Sequence, residues 1–210
     1  MKQNMRKRTP LAVLLALCLA MQLCVPAAMA SNRLMRAGDA AIEQIEEEEG
    51  FRAEKYSSGG KWYIGYGTEC GAEDYPEGIT REEAELLLMS KVEAYEAKLN
   101  DFFGRYDVTP TQGQFDALIC FSYNFGTGWM SGTSDLVKIA RGEKDATRLE
   151  VAHAFGEWCH SGGQAQAGLA DRRLQEAAIY LDDSTRAAEN EFAYLIINME
   201  SGTSYETDFA

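Results

Sequence analysis

The feature that most constrains the fold of this chain is a helix that ends in an acidic residue and leads directly into glycine-rich strands. The spacing of apolar residues predicts an amphipathic helix from about residue 36 to Glu49, and Gly50 marks its end. Aromatic residues and glycines then predict strands over residues 56–70, with a turn at residues 57–60. The chain therefore combines helices with a small sheet, and Glu49 lies at their junction.

Glu49 projects from the apolar side of this predicted helix. At about 100° per residue, its side chain lies between those of Ile42 and Ile45, whereas Glu47 and Glu48 point toward solvent. An ionised carboxylate is costly to bury, so a glutamate in this position is a candidate acid for catalysis. The alternative is that Glu49 belongs to a solvated acidic face, which is the commonest role of a glutamate run.

Two capping patterns predict the longer helices. Thr80 and Glu83 have the spacing of a capping box and open a long amphipathic helix. The segment from Thr109 to Gln112 caps a second helix, with Pro110 at its first position, and the residues that follow are apolar on nearly all sides. A helix of that kind is expected at the centre of a core. Shorter helices are predicted over residues 135–141, 148–159 and 169–181, with a loop over residues 160–168.

Motifs in a fixed order extend over roughly residues 35–182. They are Glu-Gly at the end of the first helix, Ile-Gly-Tyr-Gly at residues 64–67, Tyr-Pro-Glu-Gly-Ile-Thr at residues 75–80, Phe-Ser-Tyr-Asn-Phe-Gly at residues 121–126 and Gly-Leu-Ala-Asp-Arg-Arg at residues 168–173. Together they resemble the phage-type lysozyme family, glycoside hydrolase family 24. The resemblance implies an α+β, two-lobed, mostly helical fold in which a long helix joins a small β-hairpin lobe to the rest.

The resemblance also implies an activity. Members of the family are endo-acting muramidases, which hydrolyse the β-1,4 bond between N-acetylmuramic acid and N-acetylglucosamine in peptidoglycan with inversion. It implies no cofactor and no metal, and it makes peptidoglycan glycan strands the expected partner of a monomeric, bacteriolytic hydrolase. Glu49 carries over as the general acid, and Arg173 is expected to face it, with an ordinary surface ion pair as the alternative for Arg173.

The other two catalytic positions of the family fall on Ser58 and Tyr63. Relatives carry an aspartate or a cysteine at the first position and a threonine at the second. A serine hydroxyl can bind a water molecule but cannot take its proton at neutral pH, so Ser58 is not a general base. Three interpretations stay open. Glu69 or Glu54 substitutes as the base; Glu49 acts nearly alone while Ser58 and Tyr63 orient water; or the domain is a catalytically impaired peptidoglycan-binding or envelope-scaffold module.

The resemblance further implies a set of substrate-binding positions on the strands and at the end of the core helix. Strand glycines are typical of a sheet whose backbone approaches another group closely, and local sheet geometry is the alternative. A tyrosine at the end of the core helix can stack on a sugar ring, and core packing is the alternative. The positions are Gly65, Tyr66, Thr68, Tyr123 and Asn124.

The first thirty residues have the pattern of a secretory signal peptide. Basic residues precede an apolar run from Leu11 to Val25, and small residues around Ala30 form a cleavage pattern. A secreted or cell-envelope location follows, without stable membrane association after cleavage; an uncleaved anchor is the alternative. The predicted parts are a signal peptide over residues 1–30, a lysozyme-like domain over residues 31–183 and an extension of unknown role over residues 184–210.

Charge excludes one class of partner, and cysteine number restricts the disulfides. The formal net charge is −13 at pH 7, and the predicted signal peptide contains basic but no acidic residues, so the remainder is more acidic still. Nucleic-acid binding needs a basic face, which this composition does not provide. Three cysteines follow the signal peptide, so at least one is unpaired. Cys120 is expected to be a buried thiol, and a bond between Cys70 and Cys159 stays open.

Overall fold

The computed structural model describes residues 34–182. The predicted signal peptide over residues 1–30 and the predicted extension over residues 184–210 lie outside this part of the chain. Within it, a helix and a small sheet come first, a long helix follows, and shorter helices surround a central one. The prediction of a mostly helical α+β fold is confirmed.

The first helix, α1, covers Asp39–Glu49 and begins later than predicted. Two buried carboxylates explain the difference, because they bind backbone N–H groups just before the helix. Asp116 Oδ1 accepts from the Gly38 N–H at 2.8 Å, and Glu96 Oε1 accepts from the Ala37 N–H at 2.8 Å. The end of the helix is as predicted, since the next residue, a glycine, has φ 62°.

Three antiparallel strands follow, in the order β1 (Arg52–Ser58), β2 (Lys61–Gly65) and β3 (Thr68–Cys70). The predicted turn is present at Gly59 and Gly60, whose φ angles of 57° and 80° suit a tight connection between twisted strands. The sheet contains the β-hairpin that the resemblance implied, formed by β1 and β2, and the third strand, β3, lies within the range predicted as strands.

The long helix, α2, covers Arg81–Tyr106, and its predicted capping box is present. The Thr80 hydroxyl accepts from the Glu83 N–H, and the Glu83 carboxylate accepts from the Thr80 N–H. At about 1.5 Å per residue, the helix is about 39 Å long and connects the sheet to the helical part of the molecule. Neither α2 nor any other helix within residues 34–182 is long and apolar enough to cross a membrane.

The central helix, α3, covers Gln112–Phe125 and is buried along most of its length, as predicted. Thr111 is its N-cap residue and forms a capping box with Gln114. Pro110 therefore precedes the helix, and the prediction that it takes the first helical position was wrong. The Thr111 hydroxyl satisfies the N–H of Gln114, so the helix begins after the second threonine of the segment rather than the first.

Shorter elements complete the helical part. The predicted loop over residues 160–168 contains a small hairpin with two residues in each strand, which is too short to show a sequence pattern. The last helix packs on α3, where a Cβ at Gly113 would lie only 2.4 Å from the carbonyl oxygen of Ile179. The elements are a 3-10 turn (Gly128–Ser131), α4 (Asp135–Ala140), α5 (Arg148–Gly156), β4 (His160–Ser161), β5 (Gln164–Ala165) and α6 (Ala167–Tyr180).

The cysteines of the described residues are all outside the predicted signal peptide. Cys70 is half-buried and Cys120 is buried, and both are free thiols. The bond left open between Cys70 and Cys159 is therefore not formed. Burial raises the pKa of the Cys120 thiol, which makes this cysteine an unreactive part of the core, as predicted.

Candidate active site

Glu49 is the last residue of α1, and its carboxylate lies between α6 and the turn that precedes β3. Arg172 Nη1, on α6, donates to Glu49 Oε1 at 2.8 Å. Gly67 approaches the other oxygen so closely that a Cβ on this glycine would lie 3.0 Å from Glu49 Oε2. The Glu49 side chain keeps 21% of its surface exposed. The carboxyl group is therefore held by its neighbours and remains accessible from solvent.

The arginine that contacts Glu49 is the neighbour of the one predicted. Successive residues on a helix point about 100° apart, so Arg172 reaches the carboxylate while Arg173 turns into the core. Arg173 Nη2 donates to Glu176 Oε1 at 2.7 Å and to Asn124 Oδ1 at 3.2 Å. Both arginines are buried, so neither forms an ordinary surface ion pair.

Glu176 joins the two arginines in a buried charged cluster. Its Oε1 lies 2.7 Å from Arg173 Nη2 and 3.4 Å from Arg172 Nε. Burial raises the pKa of Glu176 to about 7, and the charges of the two arginines oppose that rise. Burial lowers the pKa of Arg173. Burial is the largest single effect on the pKa of Arg172 and lowers it, but the hydrogen bond to Glu49 and the negative charges of Glu49, Glu176 and Glu48 together raise that pKa.

Lys91, on α2, is a further cation near Glu49. Its Nζ donates to the Gly67 carbonyl oxygen at 3.4 Å and lies 3.8 Å from the centre of the Tyr123 ring. Burial lowers the pKa of Lys91, and the negative charge of Glu49 opposes that shift. The sequence prediction missed this residue. Lys91 follows the buried Leu88 by three residues, so it lies on the apolar face of the helix. That position could have indicated from the sequence that Lys91 is buried.

Glu48 also differs from its prediction. The sequence placed its side chain toward solvent, but the residue is half-buried. Burial raises the pKa of Glu48, and the positive charge of Arg172 opposes that shift. In the last turn of α1, Glu48 and Glu49 therefore both interact with Arg172.

Three of the predicted substrate-binding residues make contacts that hold the fold together. Tyr66 is buried, and its hydroxyl accepts from Arg81 Nη1 at 2.7 Å. The Tyr123 hydroxyl donates to the Tyr66 carbonyl oxygen at 2.7 Å, so this buried tyrosine packs in the core rather than offering its ring to a sugar. Gly65 has φ 62°, and a Cβ there would lie 2.9 Å from the Cβ of Ala84. This glycine lets the sheet pack on α2.

The remaining two predicted substrate-binding residues lie close to the charged cluster or to Tyr123. Asn124 is exposed at the end of α3, and its side-chain oxygen accepts from Arg173. Thr68 is half-buried at the start of β3, beside the hydroxyl of Tyr123. Their roles in substrate binding stay predictions.

The sheet brings most of the other candidate catalytic residues onto one surface. Tyr63 of β2 pairs with Glu69 of β3, and its ring stacks on that of Tyr56 at 5.7 Å. Ser58 is exposed at the end of β1. Glu54 is exposed where the pairing of β1 with β2 is irregular. The catalytic roles of these residues stay predictions. In the described part of the chain, no group of three His, Cys, Asp or Glu side chains is placed to hold a metal ion.

Comparisons with known proteins identify the family that this chain resembles. The sequence model of the Phage lysozyme family matches residues 46–176. The endolysin of Bacillus phage B103 is 33% identical over 161 residues, which make up 75% of this chain and 58% of the phage protein. The chain therefore spans little more than half the length of that curated relative.

Two solved structures share the fold. The endolysin from Escherichia coli O157:H7 phage FAHEc1 is 32% identical with a TM-score of 0.59, and the match covers 70% of this chain and 94% of that chain. The muramidase domain of SpmX from Asticaccaulis excentricus is 29% identical with a TM-score of 0.56, over 70% of this chain and 97% of that chain. The predicted lysozyme-like fold is confirmed.

Proposed function

The chain belongs to the phage lysozyme family, and from that premise we propose that it is an endo-acting muramidase. It hydrolyses the β-1,4 bond between N-acetylmuramic acid and N-acetylglucosamine in peptidoglycan, with Glu49 as the general acid. The similarity to a phage endolysin and to a muramidase domain supports this class of reaction.

The observation that carries the proposal is the setting of Glu49. A general acid must be held within hydrogen-bond reach of the oxygen it protonates. The hydrogen bond from Arg172 fixes the orientation of the carboxyl group, and its partial exposure makes it accessible from solvent. As the glycosidic bond breaks, Glu49 gives its proton to the leaving oxygen. Arg172 then balances the negative charge that remains on the carboxylate.

Product analysis tests this function directly. The purified protein is incubated with peptidoglycan, and the released fragments are reduced with borohydride and analysed by mass spectrometry. We expect fragments with reduced N-acetylmuramic acid at their ends. Reduced N-acetylglucosamine ends would mean that a different bond is cleaved. Binding to the cell wall without any product would favour a glycan-binding module over an enzyme.

We further propose that the domain acts as a monomer outside the cytoplasm, secreted or in the cell envelope. The signal-peptide pattern of residues 1–30 supports export, and cleavage after Ala30 releases the domain from the membrane. The mass of the exported protein tests this proposal. A chain beginning at Ser31 is the expected result, whereas an intact N-terminus would indicate a membrane-anchored protein.

Gly67→Ala is expected to lower kcat, but by less than the roughly 10²-fold that a misplacement of about 1 Å at a catalytic group can cause, because a few tenths of an ångström relieve the contact. The new methyl group would lie 3.0 Å from Glu49 Oε2, so the carboxylate has to move. Steady-state kinetics on soluble peptidoglycan fragments measure the effect.

Gly59→Ala is the matched control for this substitution. Gly59 also has a positive φ, 57° against 75° at Gly67, but nothing lies within 4 Å of its Cβ position. Both substitutions therefore strain the backbone, and only one of them displaces Glu49. Equal losses of activity in the two variants would attribute the effect to backbone strain.

A further inference from the structure

We propose that Glu69 is the general base of this site. It takes a proton from the water molecule that attacks the anomeric carbon, which is the role that the hydroxyl of Ser58 cannot fill. The inference rests on the proposed muramidase activity and assigns the second carboxyl group that an inverting glycosidase needs.

The register of the sheet places Glu69 in a row with two tyrosines. Tyr56 pairs with Tyr63, and Tyr63 pairs with Glu69. Directly paired residues of antiparallel strands point to the same face of a sheet. Ser58 follows Tyr56 by two residues in β1, and Lys61 precedes Tyr63 by two residues in β2. Because side chains alternate along a strand, both share this face. Glu69 therefore lies on the same surface as Ser58.

This face of the sheet lies close to Glu49. Gly67 contacts the Glu49 carboxylate, and Glu69 follows two residues later. Two residues of extended chain span at most about 7 Å, which sets the greatest distance between the Cα atoms of Gly67 and Glu69. The Cα atom of Glu69 therefore lies within about 7 Å of that of Gly67, the residue that borders the Glu49 carboxylate.

The electrostatics of neighbouring residues agree with this placement. Burial raises the pKa of Tyr56, and the negative charge of Glu49 adds to that shift. Burial lowers the pKa of Lys91, and both Glu49 and Glu69 act in the opposite direction. The charge of Glu49 thus acts on Tyr56, which is in the row with Glu69, and the charges of both carboxylates act on the ammonium group of Lys91.

The environment of Glu69 suits a base. Lys61 Nζ lies 2.8 Å from Glu69 Oε2, which leaves Oε1 for a water molecule. The hydrogen bond to Glu69 raises the pKa of Lys61, so this lysine stays charged beside the carboxylate. The Glu69 side chain is 56% exposed, so water reaches it freely. Glu54, the other candidate, lies outside the regular pairing of the strands.

The chemical step balances with these two carboxyl groups. The water oxygen forms a bond to the anomeric carbon of N-acetylmuramic acid while the bond from that carbon to the O4 of N-acetylglucosamine breaks. Glu69 takes one proton from the water, and Glu49 gives one to the departing O4. The product sugar has the inverted configuration, and proton exchange with solvent restores both carboxyl groups.

Glu69→Gln tests the assignment, with Glu54→Gln as the matched control. We expect kcat to fall about 10²–10⁴-fold in Glu69→Gln, the typical contribution of general base catalysis, with KM little changed. Glu54→Gln should keep wild-type kinetics. Thermal unfolding should be alike for both variants, because both side chains are exposed. Wild-type activity in Glu69→Gln, or an equal loss in both variants, would overturn the proposal.

Azide provides a readout that a merely structural role would not change. Azide needs no base, so adding it to Glu69→Gly should restore bond cleavage and yield the α-glycosyl azide, with azide in place of water. Failure of azide to increase turnover would contradict the role of Glu69.

Ser58→Asp introduced into Glu69→Gln should recover part of the activity, because it places a carboxylate on the same face of the sheet. No recovery would contradict the shared surface.

The results separate this proposal from the function on which it rests. If the wild-type protein releases no fragments, the muramidase function fails, and the assignment of Glu69 fails with it. If the wild type cleaves, Glu49→Gln does not and Glu69→Gln does, only the assignment of Glu69 fails.

Discussion

Glu49→Gln is expected to reduce the hydrolysis of peptidoglycan by about 10²–10⁴-fold, the range typical of a lost general acid. Glutamine keeps the shape of the side chain and can still accept the hydrogen bond from Arg172, but its amide N–H is not acidic enough to protonate the leaving oxygen. The rate of release of new reducing ends measures the effect. Neutralising Glu49 leaves buried Arg172 without one charged partner, so we also expect a loss of stability. This loss should be smaller than that of Glu176→Leu, because Glu49 is partly exposed and glutamine keeps the hydrogen bond from Arg172.

Glu47→Gln is the control for this substitution. It makes the same chemical change two residues earlier on the same helix, at an exposed position. We expect it to keep wild-type activity, whereas a similar loss in both variants would point to the overall charge of the helix end. Full activity of Glu49→Gln would remove Glu49 from the mechanism. Urea unfolding of each variant shows whether the fold is retained.

The parts of the fold that were predictable from sequence depend on contacts between residues close together in the chain. The end of α1 at Gly50 needs only a positive φ at one position. The capping box at Thr80 and Glu83 joins residues three apart. The same holds for the tight turn at Gly59 and Gly60. Signals of this kind are complete within a few residues, so the sequence specifies them directly.

The partners of Glu49 could not be predicted in the same way. Arg172 and Arg173 are adjacent, and only the rotation of α6 against α3 decides which of them reaches the carboxylate. Tyr123 illustrates the same limit, because its hydroxyl binds a carbonyl group on another element. Its burial follows from that tertiary contact and not from the local sequence. The arrangement of the site thus depends on how the helices pack, which cannot be predicted from any short sequence motif.

The choice between the two candidate bases also depends on tertiary structure. Glu54 and Glu69 are both acidic residues on strands, and both are exposed. What separates them is strand register, since Glu69 pairs with Tyr63 whereas Glu54 lies at an irregularity of β1. A shift of one residue would turn either side chain to the opposite face of the sheet. The sequence could therefore name both residues but not choose between them.

Glu176→Leu is expected to destabilise the protein by about 3–5 kcal/mol, the usual effect of removing one partner of a buried ion pair. At pH 8 the carboxyl group is ionised, because burial raises the pKa of Glu176 only to about 7. Glu176 and Glu49 balance the charges of Arg172 and Arg173, so the substitution leaves one excess positive charge. Arg173 has no exposed surface and cannot turn to water. Urea unfolding at pH 8 measures the loss.

Adding Arg173→Leu to Glu176→Leu is expected to recover most of that stability. Replacing a buried pair with apolar residues is often neutral or stabilising, because no desolvated charge remains. The Arg173 guanidinium lies 4.8 Å and 5.0 Å from the ring centres of Phe121 and Phe125, so a leucine at this position has apolar neighbours. Were the double variant as unstable as Glu176→Leu alone, altered packing of α6 on α3, rather than an unpaired charge, would account for the loss.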